Sequence, residues 1–153
     1  MFHLGHKGKV GSFTQILQIA IQIVNDMPNQ IINTPHAPAP IGPYNQSVRA
    51  GNLLFISGQI PLVPATGELI VGDPKAEAQQ CMLNLQAILT AAGLSFSHVA
   101  KTTIFLTDMA YFSDVNEVYG SFFGDNAPAR ETVAVRGLPK GVNVEISMIA
   151  NFE

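Results

Sequence analysis

The strongest constraint on the fold is one well-bounded helical segment between residues 73 and 93. Asp73-Pro74 is typical of a helix start, because aspartate caps free backbone N–H groups and proline is tolerated in the first turn. Apolar residues then recur every three or four positions up to Gly93, a natural C-cap: Ala78, Cys81, Met82, Leu85, Ile88, Leu89 and Ala92. The pattern predicts an amphipathic helix, in which Cys81 is a buried structural thiol rather than a nucleophile.

Extended runs lie on both sides of this helix, and a second helix follows it. We predict strands over residues 30–33, 47–50, 53–58, 99–106, 129–135 and 142–152. The second and third form a hairpin around Gly51-Asn52, and a proline-rich loop precedes them. Asp108 is predicted to cap the second helix, whose apolar stripe (Phe112, Val115, Val118, Tyr119 and Phe122) closes at Gly124. The order β-β-β-α-β-α-β-β predicts an α+β domain with one sheet and both helices on one face.

Residues 27–153 are predicted to form one domain with one core, and residues 1–26 an extension outside it. The extension has a weakly basic start and an apolar stretch from Val10 to Val24, which superficially resembles a secretory signal. Gln15, Gln18 and Gln22 interrupt that stretch, and no small-residue cleavage site follows it. We therefore expect either an upstream extension or a misassigned start ahead of Met27, in both cases without function.

Charge and residue usage exclude several classes of function. Eight Lys and Arg against 11 Asp and Glu give a net charge of −3, with no basic run that would bind nucleic acid. The single cysteine excludes an internal disulfide and suits a cytoplasmic protein, and no stretch is long and apolar enough for a membrane span. The four histidines lack partner ligands at useful spacing, so no metal site is expected. With only 12% charged residues, the chain is expected to form an oligomer.

The last strand carries a carboxylate on its polar side. Val142, Val144, Ile146 and Met148 alternate with Asn143, Glu145 and Ser147, so one side of the strand is predicted to face the core. If the other side meets the same face of further subunits, Glu145 would line a cleft between chains.

Four short motifs resemble those of the RidA/YjgF family: Ile41-Gly42-Pro43-Tyr44, Ser57-Gly58-Gln59-Ile60-Pro61, Pro128-Ala129-Arg130 and Val144-Glu145-Ile146. Their order and spacing, with Lys101-Thr102-Thr103 and Asp114-Val115-Asn116 between them, cover nearly all of residues 27–153. The resemblance implies a chorismate-mutase-like fold with a mixed sheet and a homotrimer with clefts between subunits. It also implies cofactor-free hydrolysis of 2-imino acids, such as 2-iminobutanoate and 2-iminopropanoate, to 2-keto acids and ammonia.

Arg130 and Glu145 are the residues whose chemistry suits this reaction best. A planar guanidinium such as that of Arg130 grips a substrate carboxylate with two hydrogen bonds, although a surface ion pair is the plainer alternative. Glu145 suits general acid–base work because a partly desolvated carboxylate has a raised pKa, which a neighbouring Arg130 would oppose. The alternative for Glu145 is a hydrogen bond to Thr or Ser across the sheet.

The resemblance places further residues at the substrate: Tyr44, Ser57, Gly58, Asn116 and Thr132. Many family members have cysteine where this chain has Thr132, so a catalytic thiol is excluded at that position. Ala127 likewise replaces a bulky apolar residue, which predicts a roomier pocket. The competing functions are an endoribonuclease, which the acidic balance disfavours, and a ligand sensor or chaperone-like protein that keeps the pocket without turnover.

Overall fold

A computed structural model describes residues 12–25 and 29–153 as one mixed six-stranded sheet with three α-helices. The strands are β1 (Gln30–Ile32), β2 (Ser47–Ala50), β3 (Leu53–Gln59), β4 (Val99–Leu106), β5 (Ala129–Ala134) and β6 (Val144–Asn151). The helices are α1 (Phe13–Asn25), α2 (Pro74–Ala91) and α3 (Phe112–Ser121). The strand order is β1-β2-β3-β6-β4-β5, in which β4 and β5 are parallel and the other neighbours are antiparallel.

The core lies between the sheet and the pair α2 and α3, which confirms the predicted α+β class. Strand β6 lies in the middle of the sheet, and its Val144, Ile146 and Met148 are buried while the residues between them are partly exposed. Helix α2 packs on β3 and β6, and α3 packs beside α2. The hydroxyl of Tyr119 in α3 donates to Thr102 of β4 at 3.2 Å, so both helices cover the same face of the sheet. The opposite face, called here the uncovered face, has no helix of this pair on it.

The predicted boundaries of α2 are confirmed, whereas those of the second predicted helix differ. The Asp73 side chain accepts a hydrogen bond from the Lys75 amide, and Gly93 follows the helix with a φ of 75°. Asp108 caps a short 3-10 turn before α3, and α3 ends at Ser121 rather than at Gly124. The two residues after α3, Phe122 and Phe123, instead pack edge-on against the ring of Phe96.

The sequence pattern predicts two helices, and helix α1 is an additional helix that it does not predict. It lies within the predicted extension, and Phe13, Ile16, Leu17 and Ile19 on it are all at least half exposed. Residues 1–11 and 26–28 lie outside the described residues, so the boundary at residue 27 stays a prediction. Within residues 12–25 and 29–153, no helix has the length and apolar content that crossing a membrane requires.

A buried carboxylate joins α2 to the beginning of β6. Glu77 is fully buried, and its Oε2 accepts from the amides of Asn143 at 2.7 Å and Val144 at 3.2 Å. Its Oε1 accepts from the Asn143 side chain at 2.9 Å and from the Gly72 amide at 3.1 Å. Four N–H donors thus replace the water that the carboxylate loses on burial.

We predict that Glu77→Gln destabilises the protein although it preserves the shape of the side chain. An amide group turns two of its own hydrogens toward N–H donors, and leaving buried donors without acceptors costs about 1 to 3 kcal/mol. Denaturant-induced unfolding measures the loss. Glu68→Gln, at an exposed position, is the matched control and should change the free energy of unfolding by less than about 0.5 kcal/mol. Equal stability of the two variants would contradict the role of Glu77.

Candidate functional site

One cleft of about 380 Å³ contains four of the residues that the sequence motifs single out. Its polar lining is formed by Tyr44, Ser57, Gly58 and Glu145. Its apolar walls are Ile41, Ile60 and Pro139, which sequence reasoning did not assign to the site. Two of these, Ile41 and Ile60, lie inside the family motifs, so their place in those motifs is the signal that could have identified them.

Gly58 provides the space that the Glu145 side chain occupies. The pairing of β3 with β6 shifts register between Ile56 and Gln59, so the strand bulges at Ser57 and Gly58. A Cβ atom on Gly58 would overlap Oε1 of Glu145 and lie 2.8 Å from its carboxyl carbon. A larger residue at position 58 would displace the Glu145 side chain, so glycine keeps the carboxylate where it lies.

The environment of Glu145 raises its proton affinity. The side chain projects from β6 between the buried residues Val144 and Ile146, and it is about half buried. Burial raises the pKa of the Glu145 carboxyl above its ordinary value. Among the described residues no group donates a hydrogen bond to this carboxylate, so the cross-strand bond to Thr or Ser is not formed. Glu145 is thus available to a molecule in the cleft.

Tyr44 lies at the end of the proline-rich loop and is 45% exposed. Its amide donates to the Gly42 carbonyl at 2.8 Å, and its hydroxyl accepts from the Ile41 amide at 3.3 Å. The opposite wall is tied to the same loop, because the Ser57 hydroxyl donates to the Asn45 carbonyl at 2.7 Å. The hydroxyl of Tyr44 keeps its own proton to donate to a ligand.

Arg130 and Asn116 form a second cluster at the sheet edge. One guanidinium nitrogen of Arg130 donates to Asn116 Oδ1 at 2.8 Å. The guanidinium carbon lies 4.9 Å from the ring centre of Tyr119 and 5.7 Å from that of Phe112. In the described part of the chain no carboxylate pairs with Arg130, so the alternative of a surface ion pair is not found. Aromatic rings hold the cation in place, and its remaining N–H donors can bind an anion.

The two clusters lie on opposite faces of the sheet, which corrects the expectation that Arg130 neighbours Glu145. Arg130 pairs in register with Thr102, whose side chain is buried beneath α3. Glu145 pairs with Phe105, on the uncovered face. Directly paired residues point to the same side of a sheet. Consistently, burial is the cause of the raised Glu145 pKa, and Arg130 does not lower it.

The hydroxyl of Thr132, a residue that the resemblance places at the substrate, is not open to solvent. Its oxygen is shielded from solvent and has no hydrogen-bond partner among the described residues. Thr132 follows Arg130 by two positions on β5 and therefore points to the same side of the sheet. Asn116, by contrast, is exposed beside Arg130.

Comparison with known proteins agrees with the motifs and the fold. The family described as Endoribonuclease L-PSP matches residues 34–152. The chain belongs to the RidA/YjgF family. A RutC family protein of Pyrococcus horikoshii is 51% identical over 124 residues, which cover 81% of this chain and 98% of that protein. A mouse protein named 2-iminobutanoate/2-iminopropanoate deaminase is 46% identical over 121 residues, 79% of this chain and 90% of its own.

A solved relative provides a structural match at similar identity. The crystal structure of Escherichia coli TdcF with bound serine has a TM-score of 0.76 and 45% identity. The match covers 80% of this chain and 98% of TdcF. The chain and TdcF therefore share a fold, and all four motifs lie within residues 34–152, which match the family.

We predict that Gly58→Ala displaces the Glu145 carboxylate, because the new methyl group overlaps its Oε1, and that any imine-hydrolysing activity of the protein falls by about 100-fold. The measurement is kcat/KM for imine hydrolysis, with circular dichroism to verify folding. Gly137→Ala is the control, since nothing lies within 4 Å of a Cβ atom there. Full activity of Gly58→Ala would show that the position of Glu145 does not matter.

We predict that Glu145→Gln makes the protein more stable at neutral pH and not at acid pH. A pKa raised by folding means that the folded state binds more protons than the unfolded state, so ionisation of Glu145 opposes folding. Wild-type stability then falls as pH rises from the ordinary glutamate pKa through the raised one, and glutamine lacks this loss. Denaturant unfolding at about pH 4 and about pH 7.5 tests the difference. A stability gain that is the same at both pH values would contradict the raised pKa.

Proposed function

We propose that this protein hydrolyses 2-imino acids to 2-keto acids and ammonia in clefts between the subunits of a homotrimer. The main support for the proposal is that the candidate site residues form two clusters on opposite faces of the sheet. One chain presents an acid–base cleft around Glu145 and, on the other face of the sheet, an anion-binding cluster around Arg130. The cleft provides the acid–base group and the cluster provides the anion-binding group, and the reaction needs both.

The surface of the chain supports self-association. The exposed apolar side chains Leu53, Phe55 and Val133 lie on strands of the sheet that α2 and α3 cover on one side only. Phe55 pairs with Ile149, and Val133 pairs with Phe105, so the two rows share the uncovered face with Glu145. Contact of this face with further copies buries apolar area and brings the Arg130 edge of one chain to the Glu145 cleft of the next.

Binding in such a cleft begins with the carboxylate that every 2-imino acid carries. The guanidinium of Arg130 takes it with two parallel hydrogen bonds, while Asn116 keeps the guanidinium plane oriented. The imine carbon then lies toward the facing subunit, next to Tyr44 and Glu145. The apolar walls Ile41, Ile60 and Pro139 receive the substrate side chain.

Glu145 provides the proton transfers. Its carboxylate accepts a proton from a water molecule as the water oxygen bonds to the imine carbon, and it passes that proton to the nitrogen as the C=N double bond becomes single. Glu145 then accepts the proton of the new hydroxyl group and donates it to the amino nitrogen as the C–N bond breaks, so that the keto acid and ammonia leave and the carboxylate is restored. Burial raises the pKa of Glu145 toward the pH at which a carboxyl group can both accept and donate a proton.

The relatives support this function more than the alternatives. Mammalian relatives are named 2-iminobutanoate/2-iminopropanoate deaminases, and the serine bound to TdcF carries an α-carboxylate. The endoribonuclease in the family description requires contact with a phosphate backbone. A net charge of −3 without a basic run does not favour such contact. This reaction needs water and protein side chains, with no redox step and no cofactor.

We predict that the protein accelerates release of 2-ketobutanoate when 2-iminobutanoate is generated in situ from threonine by a dehydratase. Arg130→Ala should abolish the acceleration because the carboxylate loses its anchor, and Arg136→Ala, at an exposed arginine, is the matched control. Glu145→Gln should bind 2-ketobutanoate without hydrolysing the imine. Binding without turnover in the wild-type protein would instead identify a ligand sensor, and undiminished turnover of either site variant would remove that residue from the mechanism.

Mixing the two inactive variants tests the division of the site. Hybrid trimers of Arg130→Ala and Glu145→Gln contain some clefts with both native residues, about a quarter of the total after random assembly of equal amounts. Activity should recover to that level when the two variants are co-refolded. A site formed within one chain would give no recovery, because no chain in the mixture has both residues.

A further inference from the structure

The buried side-chain amide of Gln46 makes four hydrogen bonds next to the cleft. Gln46 is 2% exposed, and its Nε2 lies 2.9 to 3.0 Å from the carbonyl oxygens of Thr34, Ala37 and Pro38. Its Oε1 accepts from the Thr34 amide at 2.6 Å. One side chain therefore holds both ends of the segment 34–38, and no motif or spacing in the sequence singles it out.

The proline-rich loop needs an external donor because it has few of its own. Prolines at positions 35, 38, 40 and 43 remove four backbone N–H groups from nine residues. Buried carbonyl oxygens in such a segment have to find donors elsewhere. The Gln46 amide provides them and fixes the loop at one place on the sheet.

The backbone of Gln46 extends this connection to the opposite wall of the cleft. Its carbonyl accepts from the Ser57 amide at 3.0 Å, and its amide donates to Asn33 Oδ1 at 3.0 Å. The loop that Gln46 holds ends in Ile41 and Tyr44, both of which line the cleft together with Glu145. Gln46 also lies with Tyr44 and Gly58 along a small space behind the cleft.

We propose that Gln46 is a positioning residue whose side-chain amide fixes the positions of Tyr44 and Ile41 relative to Glu145. Gln46 does not line the cleft itself and acts through the loop. Its effect on substrate rests on the proposed function, whereas its effect on the place of Tyr44 does not.

Glutamate at position 46 separates hydrogen bonding from shape. An ionised carboxylate has no hydrogen to donate, so Gln46→Glu turns negative oxygens toward the carbonyls of Ala37 and Pro38 once the pH exceeds the pKa of the new carboxyl, which burial at this position raises. Protonation restores one O–H donor, so the effect of this substitution should weaken as the pH falls. A loss caused by shape alone would not depend on pH.

The position of Tyr44 is measured directly by fluorine NMR of protein labelled with 3-fluorotyrosine, because the chain has only three tyrosines. Tyr44→Phe assigns the resonance. In Gln46→Glu above the pKa of the new carboxyl, the Tyr44 resonance should shift relative to the wild type at the same pH while those of Tyr111 and Tyr119 stay, and it should move back on acidification. Gln86→Glu, at an exposed glutamine on α2, is the matched control and should shift none of them.

Kinetics with 2-iminobutanoate completes the experiment. The KM of Gln46→Glu should rise by about tenfold with a smaller change in kcat, because ground-state placement by Tyr44 is lost. In a Tyr44→Phe background the further loss from Gln46→Glu should be smaller, since coupled residues are not additive. An unmoved Tyr44 resonance, or a pH-independent shift of all three tyrosines, would overturn the proposal. A shifted Tyr44 in a protein whose wild type hydrolyses no imine would leave Gln46 as a positioning residue and reject the proposed function.

Discussion

The register of β6 is the constraint on which the rest of the structure depends. This strand lies between β3 and β4, and its alternate residues build the core on one face and the cleft on the other. A slip of one residue would put Glu145 into the core and Val144 into the cleft, because the side-chain period of a strand is two. Glu77 opposes such a slip, since its carboxylate accepts from the amides of Asn143 and Val144 at the point where the strand begins.

Two carboxylates near the start of β6 thus serve different ends because their surroundings differ. Glu77 is fully buried, yet four N–H donors satisfy it, and this makes it a structural connection. Glu145 is half buried without a donor among the described residues, and burial raises its pKa. A half-buried carboxylate without a hydrogen-bond donor destabilises the folded state when it is ionised, and its raised pKa suits proton exchange. Ionised Glu145 therefore lowers the stability of the fold at the position where the proposed reaction needs a proton donor and acceptor.

Much of the fold could be predicted because the informative patterns are local. The capped apolar stripe of α2 and the alternation of β6 depend on period and on end residues, which a sequence displays directly. The roles of Gln46 and Glu77 could not be predicted, since most of their partners are backbone groups, which look alike in every sequence. The glutamines of α1 recur at a helical spacing of three and four, and that period is the signal from which this helix could have been predicted.

Sequence motifs identify Arg130 and Glu145 as site residues, but they do not show on which face of the sheet each residue lies. Alternation fixes which residues of one strand share a face, but the face that Arg130 takes depends on the pairing of β5 with β4. Pairing with Thr102 turns Arg130 toward α3 and away from Glu145. A site divided in this way joins two different patches, and a contact between different patches is heterologous. Repeated about a rotation axis, such a contact closes into a ring with one complete cleft for each chain, as in the proposed trimer.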